Sequence, residues 1–205
     1  MPTLETIFAV VDPTTDQQPA LQNACYIAAS NNSIRVHAYA AIYNAAPTDD
    51  WEALKRVETA RHQAWMESLV APLREDGANV HIELEWTSEW RDALPDAAER
   101  AGADLIVKTG HRHTGAGRRI LKTSDWTLLR NAPCPVYLIK KDQVPAGAKV
   151  LVALDIARED DLHRQLNERV VEYGRSVAEN IPGATLHAVN AFSGSVNFIH
   201  PPDLA

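Results

Sequence analysis

The residues best suited to chemistry fall in and just after one loop, Thr109 to Arg119. Thr109-Gly110-His111-Arg112 closes an apolar strand, and Arg112, Arg118, Arg119 and Lys122 make the one basic cluster of the chain. Beside a helix N-terminus such a cluster could hold a phosphate or a carboxylate, and the plainer alternative is a solvated face among acidic neighbours. Gly110-x4-Gly115 has the glycine spacing of a phosphate loop, but Ala116-Gly117 stands where Lys and Ser/Thr are required. Gly115-x-Gly117 fails as a dinucleotide fingerprint, because Ile120 takes the place of its third glycine. His111-x-His113 could present two imidazoles, yet no cysteine or carboxylate pair nearby has the spacing to complete a zinc site. No metal is therefore expected.

Other candidates have plain readings. Asp12 and Asp155 each end a strand, where a carboxylate either accepts a ligand's donor or, more simply, orders the following turn. His37 and His187 sit inside apolar strands and read as core histidines. Cys25 falls on the buried face of a helix, and Cys134, between two prolines, lacks an activating partner. Ser124-Asp125 and the scattered histidines form no nucleophile–base arrangement, and there is no nucleophile elbow. No catalytic residue is expected. Of the five tryptophans, Trp126 is the one with no evident packing role.

Periodicity supplies the elements that would carry these groups. Leu4 to Val11 is β-rich and stops at Asp12-Pro13. Asp16 to Ser30 puts Ala20, Leu21, Ala24, Cys25, Ile27 and Ala28 on one helical stripe. Ile34 to Tyr43 is nearly continuous in apolar residues, as in a strand covered on both faces. Asp49 or Asp50 could cap a long helix carrying Trp51, Leu54, Trp65 and Leu69, and Gly77 follows it. Ala78 to Trp86 alternates like an edge strand. A helix is expected from Ser88 to Ala101, with Pro95 kinking it or marking its true first turn. Ala103 to Lys108 is a short buried strand, Leu121 to Asn131 a helix, and Val136 to Ile139 a last strand. Strands alternating with helices mean a doubly wound, five-stranded parallel α/β sheet with right-handed crossovers.

The pattern then begins again. Residues 142–148 read as a Pro/Gly linker, and Lys149 to Asp155 is a strand ending in Asp, as the first one did. A helix marked by Leu162, Leu166, Val170 and Tyr173 follows, then a strand from Thr185. Leu186-His187-Ala188-Val189 answers Val36-His37-Ala38-Tyr39, so residues 149–205 are a partial second copy, β-α-β only, of residues 1–141.

The 205 residues fit one full domain and part of another at about 150 residues per domain. With 45% hydrophobic and 23% charged residues the chain is no disordered polymer. A net charge of −7, with an acidic excess in both copies, disfavours nucleic acid and anionic lipid as partners. No apolar run reaches the roughly 18 residues that cross a bilayer, and two cysteines make no disulfide scaffold, so a cytoplasmic setting is expected.

Strand-end Asp12, Leu105-Ile106-Val107, the Gly/His loop and Ala132-Pro133-Cys134-Pro135-Val136 resemble the universal stress protein family. The run from Thr123 through Pro133, with the linked repeat, is closest to E-type tandem members from proteobacteria. The resemblance implies a stress-response protein, with family roles in starvation, DNA damage resistance, motility and adhesion. It also implies pairing of domains around their fifth strands, here Val136, Tyr137, Leu138 and Ile139, as a homodimer or a pseudo-dimer. Nucleotide-binding members carry G-x2-G-x9-G-[S/T] after the fourth strand. With the final hydroxyl on Thr123, that pattern puts Thr109, Arg112 and Lys122 at the three glycine positions, with Gly110 and His111 between the first two. Glycines there let backbone amides approach phosphates, which side chains obstruct. Asp12 would match the adenine-side aspartate. The resemblance thus points to a non-enzymatic protein working through protein contacts without ATP or another cofactor. The alternative is a nucleotide (ATP or AMP) or other anion held in the remaining half-pocket.

Overall fold

A computed structural model describes residues 4–29, 31, 33–110, 124–140, 147–158, 160–179 and 181–190. It divides into two compact units, Met1–Asp142 and Gln143–Ala205.

The first unit runs β1 (Thr6–Val10), α1 (Pro19–Ala28), β2 (Arg35–Ile42), α2 (Trp51–Glu75), β3 (Asn79–Trp86), α3 (Trp90–Arg100), β4 (Leu105–Thr109), α4 (Ser124–Asn131) and β5 (Val136–Ile139). The strands pair in parallel in the order β3-β2-β1-β4-β5. Side chains alternate across this sheet, so it has two cores. Ile7, Ala9, Val36, Ala38 and Ala40 face Ala20, Leu21, Ala24 and Ala28 of α1 and Met66 and Val70 of α2. The alanines on both surfaces keep that helix layer close to the sheet. Phe8, Tyr39 and Ile106 face Leu94, Ala97 and Ala98 of α3 and Leu128 of α4. The sheet reverses its order of winding between β1 and β4, whose carboxyl ends form the crevice where such folds bind ligands.

Local chemistry sets the ends. The Asp50 carboxylate accepts from the Ala53 N–H at 2.8 Å and caps α2. Gly77, at φ 93°, turns the chain from α2 into β3 through a conformation closed to most side chains. Two expectations need correction. Helix α1 starts at Pro19 rather than Asp16, because Gln18 is tied to the preceding turn and proline suits the first helical position. Helix α3 starts at Trp90 and carries Pro95 in its interior, on the buried face, so Pro95 does not mark its first turn.

In the second unit β6 (Lys149–Leu154) and β7 (Thr185–Asn190) pair in parallel, joined by α5 (Asp161–Glu179). Its register repeats that of the first unit. Phe8, four residues before Asp12, pairs with His37, and Leu151, four residues before Asp155, pairs with His187. The aspartates repeat too. Asp12 Oδ1 accepts from the N–H of Thr14 at 2.9 Å, and Asp155 Oδ1 from that of Ala157 at 3.2 Å. An amide side chain grips the backbone of each one, Gln18 on Asp12 and Asn167 on Asp155. His187 departs from expectation: it is exposed, beside the Thr185 hydroxyl at 3.0 Å, and is no core histidine.

Candidate functional site

The crevice at the carboxyl ends of β1 and β4 holds three of the residues singled out from sequence, Asp12, Thr109 and Gly110. His111, Arg112, Arg118, Arg119, Lys122 and Thr123 lie outside the described residues. Asp12 Oδ1 accepts from both the N–H and the hydroxyl of Thr14, the latter at 2.6 Å. The Asp12 N–H donates to Gln18 Oε1 at 3.0 Å, and Gln18 Nε2 donates back to the Asp12 carbonyl at 2.7 Å. The carboxylate thus orders its own turn through Oδ1. The Gly110 N–H donates to the Ile139 carbonyl at 2.8 Å, extending the β4–β5 ladder. A Cβ on Gly110 would make only ordinary contacts, so that position does not demand glycine.

Behind this rim lies a charge that composition did not reveal. Lys108 is 3% exposed; its Nζ donates to Asp125 Oδ1 at 2.7 Å and to the Thr109 carbonyl at 3.0 Å. Asp125 stands in the first turn of α4, so the pair ties the end of β4 to the start of α4.

A second network covers the α3 face of β2 and β3. His37 Nε2 donates to Glu83 Oε2 at 2.6 Å, and the Tyr39 hydroxyl to Glu85 Oε2 at 2.8 Å. Arg100 of α3 reaches both carboxylates, at 3.1 and 2.8 Å. The His37 ring stacks on Phe8, with centroids 5.6 Å apart. This circuit fastens β3 and α3 to β2. Its sequence signal was the alternation of Glu83 and Glu85 along β3, which reads as simple exposure. Burial raises the Tyr39 hydroxyl far above its ordinary value, and the neighbouring Glu85 adds to this, so it stays a donor. Burial also raises the thiols of Cys25 and Cys134 to about 11, so both are protonated at neutral pH. Among the described residues no group of His, Cys, Asp and Glu could hold a metal ion. No described helix is long and apolar enough to cross a membrane.

His37 gives a test of this circuit. Burial lowers its pKa below the ordinary 6.5, outweighing Glu83, which raises it. The native state then resists a proton that the unfolded chain accepts. Its contribution to stability is complete above pH 6.5 and falls as the pH drops through and below that value. Urea titrations at pH 7.5 and 5.5 are expected to show stability falling with acid, by at most about 1.4 kcal/mol per pH unit from this residue, and less so in His37→Phe. Equal pH slopes in the two proteins would refute the role of His37.

The match to known proteins agrees with this architecture. Residues 3–140 match the universal stress protein family. Universal stress protein E of Photorhabdus laumondii is 28% identical over 200 residues, covering 94% of this chain and 63% of that protein. Its counterpart in Escherichia coli K12 is 28% identical over 195 residues, covering 92% of this chain. The chain thus spans 61–63% of the length of these relatives. A functionally unknown protein from Pseudomonas aeruginosa PAO1 superposes with a TM-score of 0.71 at 27% identity, over 92% of this chain and 61% of that one. A universal stress protein from Lactobacillus plantarum, 19% identical, shares the fold with a TM-score of 0.50 over 67% of this chain and 98% of its own. The parallel five-stranded sheet, the strand-end aspartate and the match over most of the chain lead to one assignment: the protein belongs to the universal stress protein family.

Proposed function

We propose that this protein is a cytoplasmic, non-enzymatic stress-response module that acts through protein contacts at the β5 edge, without holding ATP. The contrast between its two sheet edges carries this reading. At β3 the edge strand bears Glu83 and Glu85, 28% and 30% exposed and paired with Arg100, charged groups that a further strand would have to cover. At β5 the edge row is Val136, Tyr137, Leu138 and Ile139, with no charge to deter pairing. Pro135 and Ile139 accept from β4, at Ile106 N–H and Gly110 N–H, so in a parallel ladder Tyr137 also turns its polar backbone inward. The N–H and C=O groups of Val136 and Leu138 therefore point outward, available to a strand of a second copy.

Against nucleotide stands the side-chain bulk that the family pattern puts at Thr109, Arg112 and Lys122, together with the engagement of Asp12 by Thr14. A universal stress protein solved with cAMP has this fold at 18% identity and a TM-score of 0.51, which motivates the competing reading.

One pair of measurements decides between them. Leu138→Pro removes an outward N–H while leaving the β4 ladder intact, and is expected to abolish self-association in sedimentation equilibrium, whereas Leu138→Ala retains it. Unchanged association of Leu138→Pro would overturn the β5 interface. Saturating Mg-ATP is expected to leave the melting temperature unchanged. A rise of several degrees, of the order that about 2.7 kcal/mol of linkage gives at 100 times Kd, and its loss in Asp12→Ala, would establish the nucleotide reading instead.

A further inference from the structure

Helix α3 begins without a side-chain cap, and a cavity of about 130 Å3 opens there against α4, lined by Ser88, Glu89, Arg91, Asp92 and Thr127. Asp12 and Gly110 of the crevice do not line it. The first turn of α3 leaves donors over. The Glu89 N–H is taken by the Thr87 hydroxyl at 3.0 Å, and those of Asp92 and Ala93 by the Glu89 carbonyl. The N–H groups of Ser88, Trp90 and Arg91 donate to no described residue, and the Glu89 side chain does not cap them.

Helix α4 supplies a buried group beside them. Thr127 is 8% exposed, its side chain lines the cavity, and its hydroxyl has no partner among the described residues. Buried hydroxyls are hydrogen-bonded as a rule, so this one marks a place that water or a solute completes. Arg91 adds a second unused donor. Its guanidinium lies over the Trp90 ring, 4.8 Å from the centroid, and forms no ion pair with a described residue, although Glu89 and Asp92 line the same cavity.

The signs of these groups select the ligand. Two carboxylates, one guanidinium and a helix start worth about half a positive charge come close to neutrality. An anion meets Glu89 and Asp92; a cation meets Arg91 and the helix end. Acid, base and acid follow one another at Glu89, Arg91 and Asp92, so acceptors and donors interleave rather than separating into two poles. A hydroxyl is donor and acceptor in one atom, and adjacent hydroxyls match such a mixture. The size agrees. A cavity of about 150 Å3 admits benzene, and glycerol has as many non-hydrogen atoms.

We propose that the cavity between the start of α3 and α4 binds a compact neutral polyol through two adjacent hydroxyls. It is independent of the β5 edge and of the crevice.

NMR titration of the whole chain with glycerol tests it. The amide signals of Ser88, Trp90, Arg91, Asp92 and Thr127 are expected to shift together and to saturate, with a Kd in the millimolar range. Propane-1,3-diol, which lacks the adjacent pair, is expected to bind at least about fivefold more weakly, the worth of one hydrogen bond. Thr127→Val, close in shape, and Asp92→Asn, at an exposed position, should each weaken glycerol by at least about fivefold with the remaining amide spectrum unchanged. Sodium phosphate and glycine probe the charged alternatives. Saturation by either of them without saturation by glycerol would assign the cavity to an anion or a zwitterion. A glycerol response that rises linearly without saturating would leave it to water alone. Each of these results overturns the proposal, and so does unchanged glycerol affinity in either variant.

Discussion

Replacing Asp125 by alanine is expected to destabilise the first unit by about 3–5 kcal/mol, while Lys108→Met costs little or nothing. The asymmetry follows from burial. Lys108 is 3% exposed, and its ammonium has two partners, the Asp125 carboxylate and the Thr109 carbonyl. Removing the carboxylate strands a cation that cannot reach water. Methionine in place of Lys108 keeps a flexible apolar stem in that buried position and removes the charge. Asp125, 18% exposed and in the first turn of α4, then keeps favourable contact with the helix N-terminus and some solvent. The double variant Lys108→Met/Asp125→Ala should accordingly regain most of what Asp125→Ala loses. Chemical denaturation of all three proteins measures this, and the Asp125→Ala melting point should fall by on the order of 10 °C. Equal losses in Lys108→Met and Asp125→Ala would show that the pair contributes as a surface bridge does. The consequence reaches the crevice, since this pair holds together the two described ends, β4 and α4, that flank residues 111–123.

Such a pair illustrates what sequence reading could and could not reach. The parallel α/β class and the edge place of β3 were legible, because apolar alternation specifies which face a strand buries, and a one-residue slip would turn every side chain over. The His-Ala steps of β2 and β7 pair at matching distances from Asp12 and Asp155 for that reason. Lys108 read only as the end of a buried strand, because its partner is seventeen residues away on the next helix. Glu83 and Glu85 read as solvent-facing for the same reason: Arg100, His37 and Tyr39 meet them only after the crossovers form. Pro95 sits inside α3, where a local rule favoured a helix start; it is buried on the helix's packed face beside Leu94. At the crevice, Asp12 was legible from its place at a strand end. Its work as a turn organiser depends on Thr14 and Gln18, and the position alone left that open against ligand binding.

The largest effect in the second unit is expected from one added methyl group. Intrinsic propensity says that Gly174→Ala in the body of α5 should stabilise the helix by roughly 0.5–1 kcal/mol. Packing says the reverse. A Cβ on Gly174 would overlap Val152 Cγ1 and come within 3.1 Å of Leu186 Cδ1. Val152 is β-branched and buried, so its methyl cannot swing aside, and α5 must lift from the sheet. Overpacking of this kind costs about 1–3 kcal/mol. Among the described residues of this unit Val152 is the only buried hydrophobic side chain, so there is little reserve to absorb the loss. Packing therefore outweighs propensity. Hydrogen exchange of the β6, β7 and α5 amides in Gly174→Ala should quicken by roughly tenfold or more, while β1, β2 and β4 keep their protection. Val152→Ala added to Gly174→Ala makes room for the new methyl and should recover part of the protection. If Gly174→Ala slowed exchange, helix propensity would be the governing term, and the close seating of α5 on β6 and β7 would have no energetic role.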